Sequence, residues 1–229
     1  MRLRKKRMEL SWQSIRASHA QDAPAAHAYA TVLRKFLLDP ENAERKTLLV
    51  TSAVAQEGKT ITTLNLAVAL TIRDKKVLVV DAHLRSPRLG RHLGLEGNPG
   101  LMDLLAADGF AGDGVIPDPD LPGLRALPRG EGQEKLLNAA SWERFAAFLR
   151  RARTRFDFIL IDGPSVASGV EPLTLGQMAD GILLVVAADQ TQRSELLAAR
   201  NLIQRNGGRI VGAILNKVPA YLPAYFTTP

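Results

Sequence analysis

Five short apolar runs, separated by stretches with helical spacing, constrain the fold of this chain more than any other feature. The runs lack the polar alternation of half-exposed strands, which predicts strands that are buried on both faces. Strands that alternate with helices form right-handed crossovers, so we expect an α/β fold with a doubly wound, mostly parallel sheet. The predicted strands span residues 47–53, 76–81, 156–164, 181–189 and 209–218. The predicted helices span residues 27–38, 61–72, 134–153 and 192–204.

The composition limits the classes of protein and ligand. A length of 229 residues suits one globular domain with a full core, and a formal charge of +7 favours an anionic partner such as a nucleotide, a nucleic acid or a membrane surface. Because there is no cysteine, disulfides and thiolate metal sites are excluded, and the four histidines show no zinc spacing. We expect a cytoplasmic protein, since the sequence carries neither a secretion signal nor a long apolar span.

Shifts in composition divide the chain. We predict a basic, flexible arm over residues 1–25, a folded domain over 26–218 and a C-terminal tail over 219–229. A stretch at 106–123 is dense in Gly, Pro and Asp, which predicts a long surface loop within the domain.

Residues 53–60, AVAQEGKT, have the spacing of a phosphate-binding P-loop between a predicted strand and a predicted helix. Gly58, Lys59 and Thr60 occupy the expected places, whereas Ala53 stands where a glycine is more usual. Backbone N–H groups of such a loop converge on phosphate, the lysine neutralises the β and γ phosphates, and the threonine hydroxyl ligates Mg²⁺. A solvated turn capped by Thr60 is the alternative. The predicted nucleotide-binding residues of the loop are Ala55, Gln56, Glu57, Gly58, Lys59, Thr60 and Ile61.

Two further predicted strands end in an aspartate, at Asp81 and Asp162. In parallel sheets, ligands bind beyond the carboxyl ends of the strands. Carboxylates there can hold a metal ion and its waters, although an aspartate at such a place can also cap a helix or form a turn. Together with the P-loop, the two acids predict a nucleoside triphosphate site with Mg²⁺ near Thr60, Asp81 and Asp162.

Residues 29–218 resemble the bacterial tyrosine autokinases, which are P-loop kinases that work with membrane proteins of capsule and exopolysaccharide export. TSAVAQEGKTITTLNLAVAL resembles the Walker A segment of that family, and FDFILIDGPS resembles its Walker B strand. VLVVDAHLRSPRLGRHLGLEGNPGLMDLL resembles the diagnostic Walker A′ block. ADGILLVVAADQT and GAILNKV are similar to the later strands of the family.

The resemblance implies an ATP-dependent protein-tyrosine kinase with bound Mg²⁺. It implies that Lys59 contacts the phosphates, that Thr60 ligates the metal, and that Asp81 and Asp162 organise the metal waters and the attacking hydroxyl. By the same resemblance, Asn216 reads the adenine edge, with a plain polar strand terminator as the alternative. Two roles stay open for Arg85, which could steady a phosphate or an acidic neighbour, or form a surface salt bridge.

His83 departs from the Walker A′ pattern, in which this position is ordinarily a second aspartate. A neutral imidazole can accept a proton near pH 7, because the unperturbed pKa of histidine is about 6.5, but it cannot supply a negative charge. Three interpretations stay open: a substitute catalytic base, a site that binds ATP but transfers phosphate poorly, and a neutral surface change.

The tail and the assembly motif also depart from the family. Where members usually carry a run of several tyrosines, this chain offers Tyr221 and Tyr225 as candidate phosphoacceptors. The family motif of a glutamate and two arginines, which mediates ring assembly, survives chiefly as Arg34, with Ala28 and Thr31 at its other places. Formation of a homo-oligomer therefore stays an open alternative.

The resemblance implies a membrane copolymerase or activator as a separate partner, recognised through its cytoplasmic segment. Basic residues 2–7 would suit the anionic inner face of the plasma membrane, or form a solvated tail. Two other functions remain as alternatives: an ATP-binding regulatory module with little transfer, and a septum- or partition-type positioning ATPase. The latter group carries an early signature lysine where this chain has Val54. Nucleic acid is disfavoured as a partner, because no platform of base-stacking aromatics is visible.

Overall fold

The computed structural model of the protein describes residues 12–20, 23–106, 114–132 and 138–218. Within them, the strands are β1 (Thr47–Ser52), β2 (Val77–Asp81), β3 (Ile116–Pro117), β4 (Leu124–Leu127), β5 (Phe158–Asp162), β6 (Gly181–Ala187) and β7 (Ile210–Asn216). They form one sheet in the order β3-β4-β2-β5-β1-β6-β7. The β3–β4 pair is antiparallel and the other neighbours are parallel, so the predicted mostly parallel sheet and its five strands are confirmed.

Helices cover both faces of the sheet. They are α1 (Trp12–Ala20), α2 (Pro24–Leu38), α3 (Lys59–Thr71), α4 (Leu89–Leu93), α5 (Leu101–Leu105), α6 (Ala139–Ala152), α7 (Glu171–Met178) and α8 (Arg193–Arg205). One apolar cluster joins the sheet to α1, α2, α3 and α4, and a second joins it to α5, α6, α7 and α8. The predicted doubly wound architecture is therefore confirmed. Of the predicted helix at 134–153, residues 134–137 lie outside the described residues, and α6 begins at Ala139.

The helix that follows the P-loop is the most enclosed of the described helices. Eleven of the thirteen residues of α3 are buried, because the sheet covers one side of this helix and α1 and α2 cover the other. Its N-cap, Gly58, has a φ of 96°, a left-handed conformation that a glycine adopts without steric cost. The fold therefore fixes the start of α3, where Lys59 and Thr60 lie, from several directions.

The predicted flexible arm is wrong for residues 12–20, which form α1. Trp12 and Ile15, three residues apart, share one side of the helix and are buried against the α3 side of the core. The Trp12 Nε1 atom donates a hydrogen bond of 2.9 Å to Asp118, and Arg16 forms ion pairs with Asp118 and Asp120. The polar composition of the segment did not predict this helix, since only two apolar residues dock it on the core. Residues 1–11 and 21–22 of the predicted arm lie outside the described residues, and its last residues, 24 and 25, begin α2.

The predicted loop at 106–123 is also partly wrong. Residues 116 and 117 form β3, which pairs with β4, a strand that the sequence did not predict. The four residues of β4 lie between Gly123 and Pro128, so their apolar run is too short to stand out from the surrounding turn residues. Residues 107–113 of this stretch lie outside the described residues.

Docking of α1 predicts a measurable contribution to stability. Ile15 is 1% exposed, so Ile15→Ala is expected to lower the free energy of unfolding by about 3 kcal/mol, through lost burial and the cavity left behind. Gln13→Ala on the exposed side of the same helix is the matched control, with an expected change within about 0.5 kcal/mol. Urea unfolding followed by circular dichroism measures both. Equal stability of the two variants would contradict the docked position of α1.

Candidate functional site

Three adjacent strands of the sheet bring the predicted phosphate and metal residues together. Strand β5 lies between β1 and β2, and Asp162 at its end stands in register with Asp81 on β2. Strand β1 runs into the P-loop on the other side of β5, where Val50 pairs with Asp162. The parallel pairing therefore places both acids and the start of α3 at one edge of the sheet, as the sequence predicted.

Side-chain contacts link the P-loop to the Walker B strand. The Thr60 hydroxyl donates a hydrogen bond of 2.6 Å to Oδ2 of Asp162, and the Lys59 ammonium donates one of 2.9 Å to Oγ of Ser52. Both Lys59 and Thr60 are buried, at 6% and 8% exposure. The sequence pattern did not indicate that Ser52 contacts Lys59, although the position of Ser52 at the end of β1 could have predicted a place in the site.

The oxygen atoms at this edge fit a magnesium ion. Oδ1 of Asp162 is buried and has no hydrogen-bond partner among the described residues, while Oδ2 receives the Thr60 hydroxyl. The described part of the chain holds no group of three or more His, Cys, Asp or Glu side chains that would cage a metal. That pattern suits Mg²⁺, which uses one or two carboxylates together with waters and phosphate oxygens.

Asp81 differs from Asp162 because its two oxygens accept backbone N–H groups from the loop that follows β2 and from the start of α4. Oδ1 accepts from the N–H of His83 and Oδ2 from the N–H of Gly90, each at 3.2 Å. Asp81 therefore shapes the Walker A′ loop as well as contributing charge to the site.

Burial shifts the acid–base behaviour of the central groups. It raises the pKa of Asp162 to about 7, with the negative charge of Asp81 adding to the rise, and it raises the pKa of Asp81 to about 6. Burial also lowers the pKa of Lys59, an effect that the charges of Asp162 and Glu57 oppose. A divalent cation would stabilise the carboxylate forms, so the site is poised to exchange protons for a metal ion.

His83 is half-buried beside these groups. Its Nδ1 atom is buried and makes no hydrogen bond within the described residues. Burial lowers the pKa of this imidazole, and the charge of Lys59 lowers it further, which favours the neutral ring at neutral pH. The ring can therefore accept a proton, although this alone does not decide among the three interpretations of His83.

Arg85 and Asn216 make contacts within the protein. The guanidinium of Arg85 donates to Oε1 of Glu171 on α7 at 2.9 Å in an exposed ion pair, so its two predicted roles stay open. The Asn216 amide donates to the carbonyl of Glu57 at 2.9 Å and accepts from the N–H of Lys217 at 2.9 Å. Its role at the adenine edge stays a prediction.

The remaining predicted residues differ in their position. Ala55 and Gln56 are exposed at the tip of the P-loop, whereas Ile61 packs into the core on the α2 side. Glu57 is buried and points toward the end of β6, where the Ala187 N–H donates to Oε1 at 3.1 Å. Tyr221 and Tyr225 lie outside the described residues.

Arg88 is a nearby charge that the sequence analysis did not single out. Its positive charge adds to burial in lowering the pKa of His83, and it opposes the effect of burial on Asp162. The basic composition of the Walker A′ block is the signal that could have found it.

Comparison with known proteins identifies the family. Residues 48–221 match the model of the CobQ/CobB/MinD/ParA nucleotide-binding domain. The chain is 29% identical over 176 residues to a Staphylococcus aureus protein named putative tyrosine-protein kinase CapB, an alignment that covers 77% of each chain.

Solved structures agree with the sequence comparison. The VpsO kinase domain superimposes with a TM-score of 0.74 at 29% identity, covering 89% of this chain and 98% of that one. The septum site-determining protein MinD from Pyrococcus horikoshii, solved with Mg-ADP, has a TM-score of 0.65 at 24% identity and covers 80% of this chain and 75% of its own. MinD shares the fold as a more distant relative. The chain therefore belongs to the CobQ/CobB/MinD/ParA family of nucleotide-binding domains, and within it resembles the members that are named bacterial tyrosine kinases.

Proposed function

We propose that this chain binds Mg–ATP at its P-loop and transfers the γ-phosphoryl group to a tyrosine hydroxyl, as a bacterial tyrosine autokinase of capsule or exopolysaccharide assembly. The observation that carries the proposal is the convergence of Lys59, Thr60, Asp81 and Asp162 at the end of three neighbouring strands. The kinase names of its relatives support the reaction type, and the Mg-ADP in the MinD structure supports the cofactor class.

Each residue of the site has a physical role in this proposal. The P-loop N–H groups and Lys59, once its ammonium leaves Ser52, hold the triphosphate, while Thr60 and Asp162 hold the magnesium ion. Bound Mg²⁺ supplies neutralisation of the negative charge that develops during transfer. Asp81 keeps the Walker A′ loop in place through His83 and Gly90.

The proton of the acceptor tyrosine needs a destination near the metal. The tyrosine oxygen forms a bond to the γ phosphorus, the bond from that phosphorus to the bridging oxygen of ADP breaks, and the phenolic proton leaves. We propose that the neutral imidazole of His83, which is half-buried next to Asp81, accepts this proton. Because an imidazole cannot replace the negative charge of an aspartate, we propose that transfer is slower than in relatives with two acids.

A second candidate function follows from the same residue. If His83 suppresses transfer altogether, the chain is an ATP-binding regulatory module whose loaded state engages the membrane partner. The positioning ATPase is disfavoured, since Val54 stands at the place of its signature lysine.

The partners are part of the proposal. We propose a separate membrane copolymerase or activator, recruitment to the inner face of the plasma membrane through basic residues 2–7, and phosphorylation of Tyr221 and Tyr225 between copies of the chain. No helix in the described ranges is long and apolar enough to cross a membrane.

The reaction is tested with purified protein, Mg–ATP and an anti-phosphotyrosine probe. Wild type is expected to gain phosphotyrosine that disappears in Lys59→Ala, because the neutral side chain cannot hold the phosphates. The exposed Lys75→Ala is the matched control and should retain the signal. The double variant Tyr221→Phe/Tyr225→Phe should also be unlabelled. Binding of Mg–ATP without any phosphotyrosine would favour the regulatory module instead.

The effect of His83 is tested by restoring the aspartate. His83→Asp is expected to raise the initial rate of autophosphorylation at least about tenfold, given that general-base groups typically contribute 10²–10⁴ in rate. His27→Asp on the exposed side of α2 introduces the same charge change elsewhere and should leave the rate unaltered. A slower His83→Asp enzyme with intact nucleotide binding would identify the imidazole as the better base in this site.

A further inference from the structure

Glu57 is a buried carboxylate in the P-loop that points toward the end of β6. It is 2% exposed. Oε2 accepts a hydrogen bond of 2.9 Å from the N–H of Val54, while Oε1 accepts from the Ala187 N–H and the Thr191 hydroxyl. A carboxylate that is free to turn toward a triphosphate would repel it, and these three donors hold the Glu57 carboxylate in one position.

Two of the three donors belong to a distant part of the chain. Ala187 ends β6, and Thr191 lies in the connection to α8, 134 residues beyond Glu57. The N–H of Ala187 also donates to the Thr191 hydroxyl at 3.1 Å, so the three groups form one closed set. We call Glu57, Ala187 and Thr191 the P-loop clamp.

The end of β7 reinforces the same contact. Besides the bond from Asn216 to the carbonyl of Glu57, the Lys217 ammonium donates to the carbonyl of Gln56 at 2.6 Å and to Oε1 of Gln190 at 3.0 Å. The ends of β6 and β7 therefore contact the P-loop together, at the side chain of Glu57 and at its backbone.

Backbone strain concentrates at this place. Gln56, Asp189 and Lys217 have φ values of 65°, 56° and 56°, in the left-handed region that residues with a Cβ rarely adopt. Such conformations persist where the surroundings impose them, and they gather at ligand-binding sites. Gln56 lies in the P-loop, Asp189 follows β6 and Lys217 follows β7, so each lies in one of the segments that these contacts connect.

We infer that Glu57 is a positioning residue, which acts through Thr191 to hold the P-loop backbone in the shape that receives a triphosphate. The inference rests on the proposed Mg–ATP binding. Thr191 touches Glu57 rather than the phosphate-binding atoms, so loss of its hydroxyl should change nucleotide affinity only through the shape of the loop.

The test compares Mg–ATP dissociation constants of full-length variants by isothermal titration calorimetry. Thr191→Val is expected to weaken binding about tenfold, the effect typical of removing a hydrogen bond to a charged group. Thr191→Ser retains the hydroxyl and should bind nearly as wild type does. Thr71→Val removes a similar half-buried hydroxyl, bonded to the carbonyl of Ala67 at the far end of α3, and should leave affinity unchanged.

Glu57→Gln gives a second measurement that holds even if Thr191→Val fails to fold. It keeps the shape of the side chain but removes the charge, and should also weaken binding. In folded proteins, the double variant Glu57→Gln/Thr191→Val should bind Mg–ATP no more weakly than Glu57→Gln alone, because the two substitutions break the same contact.

The outcomes separate the clamp from the proposed function. Thr191→Val or Glu57→Gln with wild-type affinity would overturn the clamp, as would equal weakening by Thr191→Ser and Thr191→Val. A lower melting temperature without a change in affinity would identify the contact as purely structural. Failure of wild type and Thr71→Val to bind Mg–ATP would overturn the proposed function itself.

Discussion

The pairing of β1, β5 and β2 is the constraint on which the rest of the site depends. Parallel register sets Asp81 beside Asp162 and the P-loop beside both, without any help from side-chain contacts. Because those strands are fully buried, the two acids cannot move apart into solvent. The fold therefore sets the proximity of the two acids. The chemistry of the site follows from two buried carboxyl groups and one buried lysine.

Enclosure has an electrostatic consequence. Buried carboxyl groups next to each other retain protons to higher pH than exposed ones, as the raised pKa values of Asp162 and Asp81 illustrate. A magnesium ion reverses this preference, so binding of the metal and loss of protons are linked. His83 enters the same balance as a ring whose pKa is lowered by burial, so it favours the neutral form and adds no negative charge near the metal.

The sequence predicted those parts of the molecule that local patterns encode. Apolar runs ending in Asp81 and Asp162, and the spacing around Lys59, were sufficient to predict the sheet and the central site. Patterns failed where a few long-range contacts decide the structure. Helix α1 docks through Trp12 and Ile15, which leave almost no periodic signal in a polar segment.

The same limit applies to the P-loop. Its spacing predicted a phosphate-binding loop, yet nothing near Glu57 in the sequence indicates that its carboxylate turns toward Thr191, since that contact joins residues 134 positions apart. Contacts such as Asn216 with the carbonyl of Glu57 likewise depend on the order of the strands, which places β6 next to β1 and β7 next to β6.

Proton release on nucleotide binding tests the central claim most directly. Calorimetric titration of Mg–ATP near pH 6.5, in two buffers with different ionisation enthalpies, counts the protons released. Since burial raises the pKa of Asp162 to about 7, its carboxyl group binds more protons at this pH than an exposed aspartate does and must release them to hold the metal, so wild type is expected to release more protons than Asp162→Asn. Absence of Mg–ATP binding, or equal proton release by the two proteins, would contradict the account.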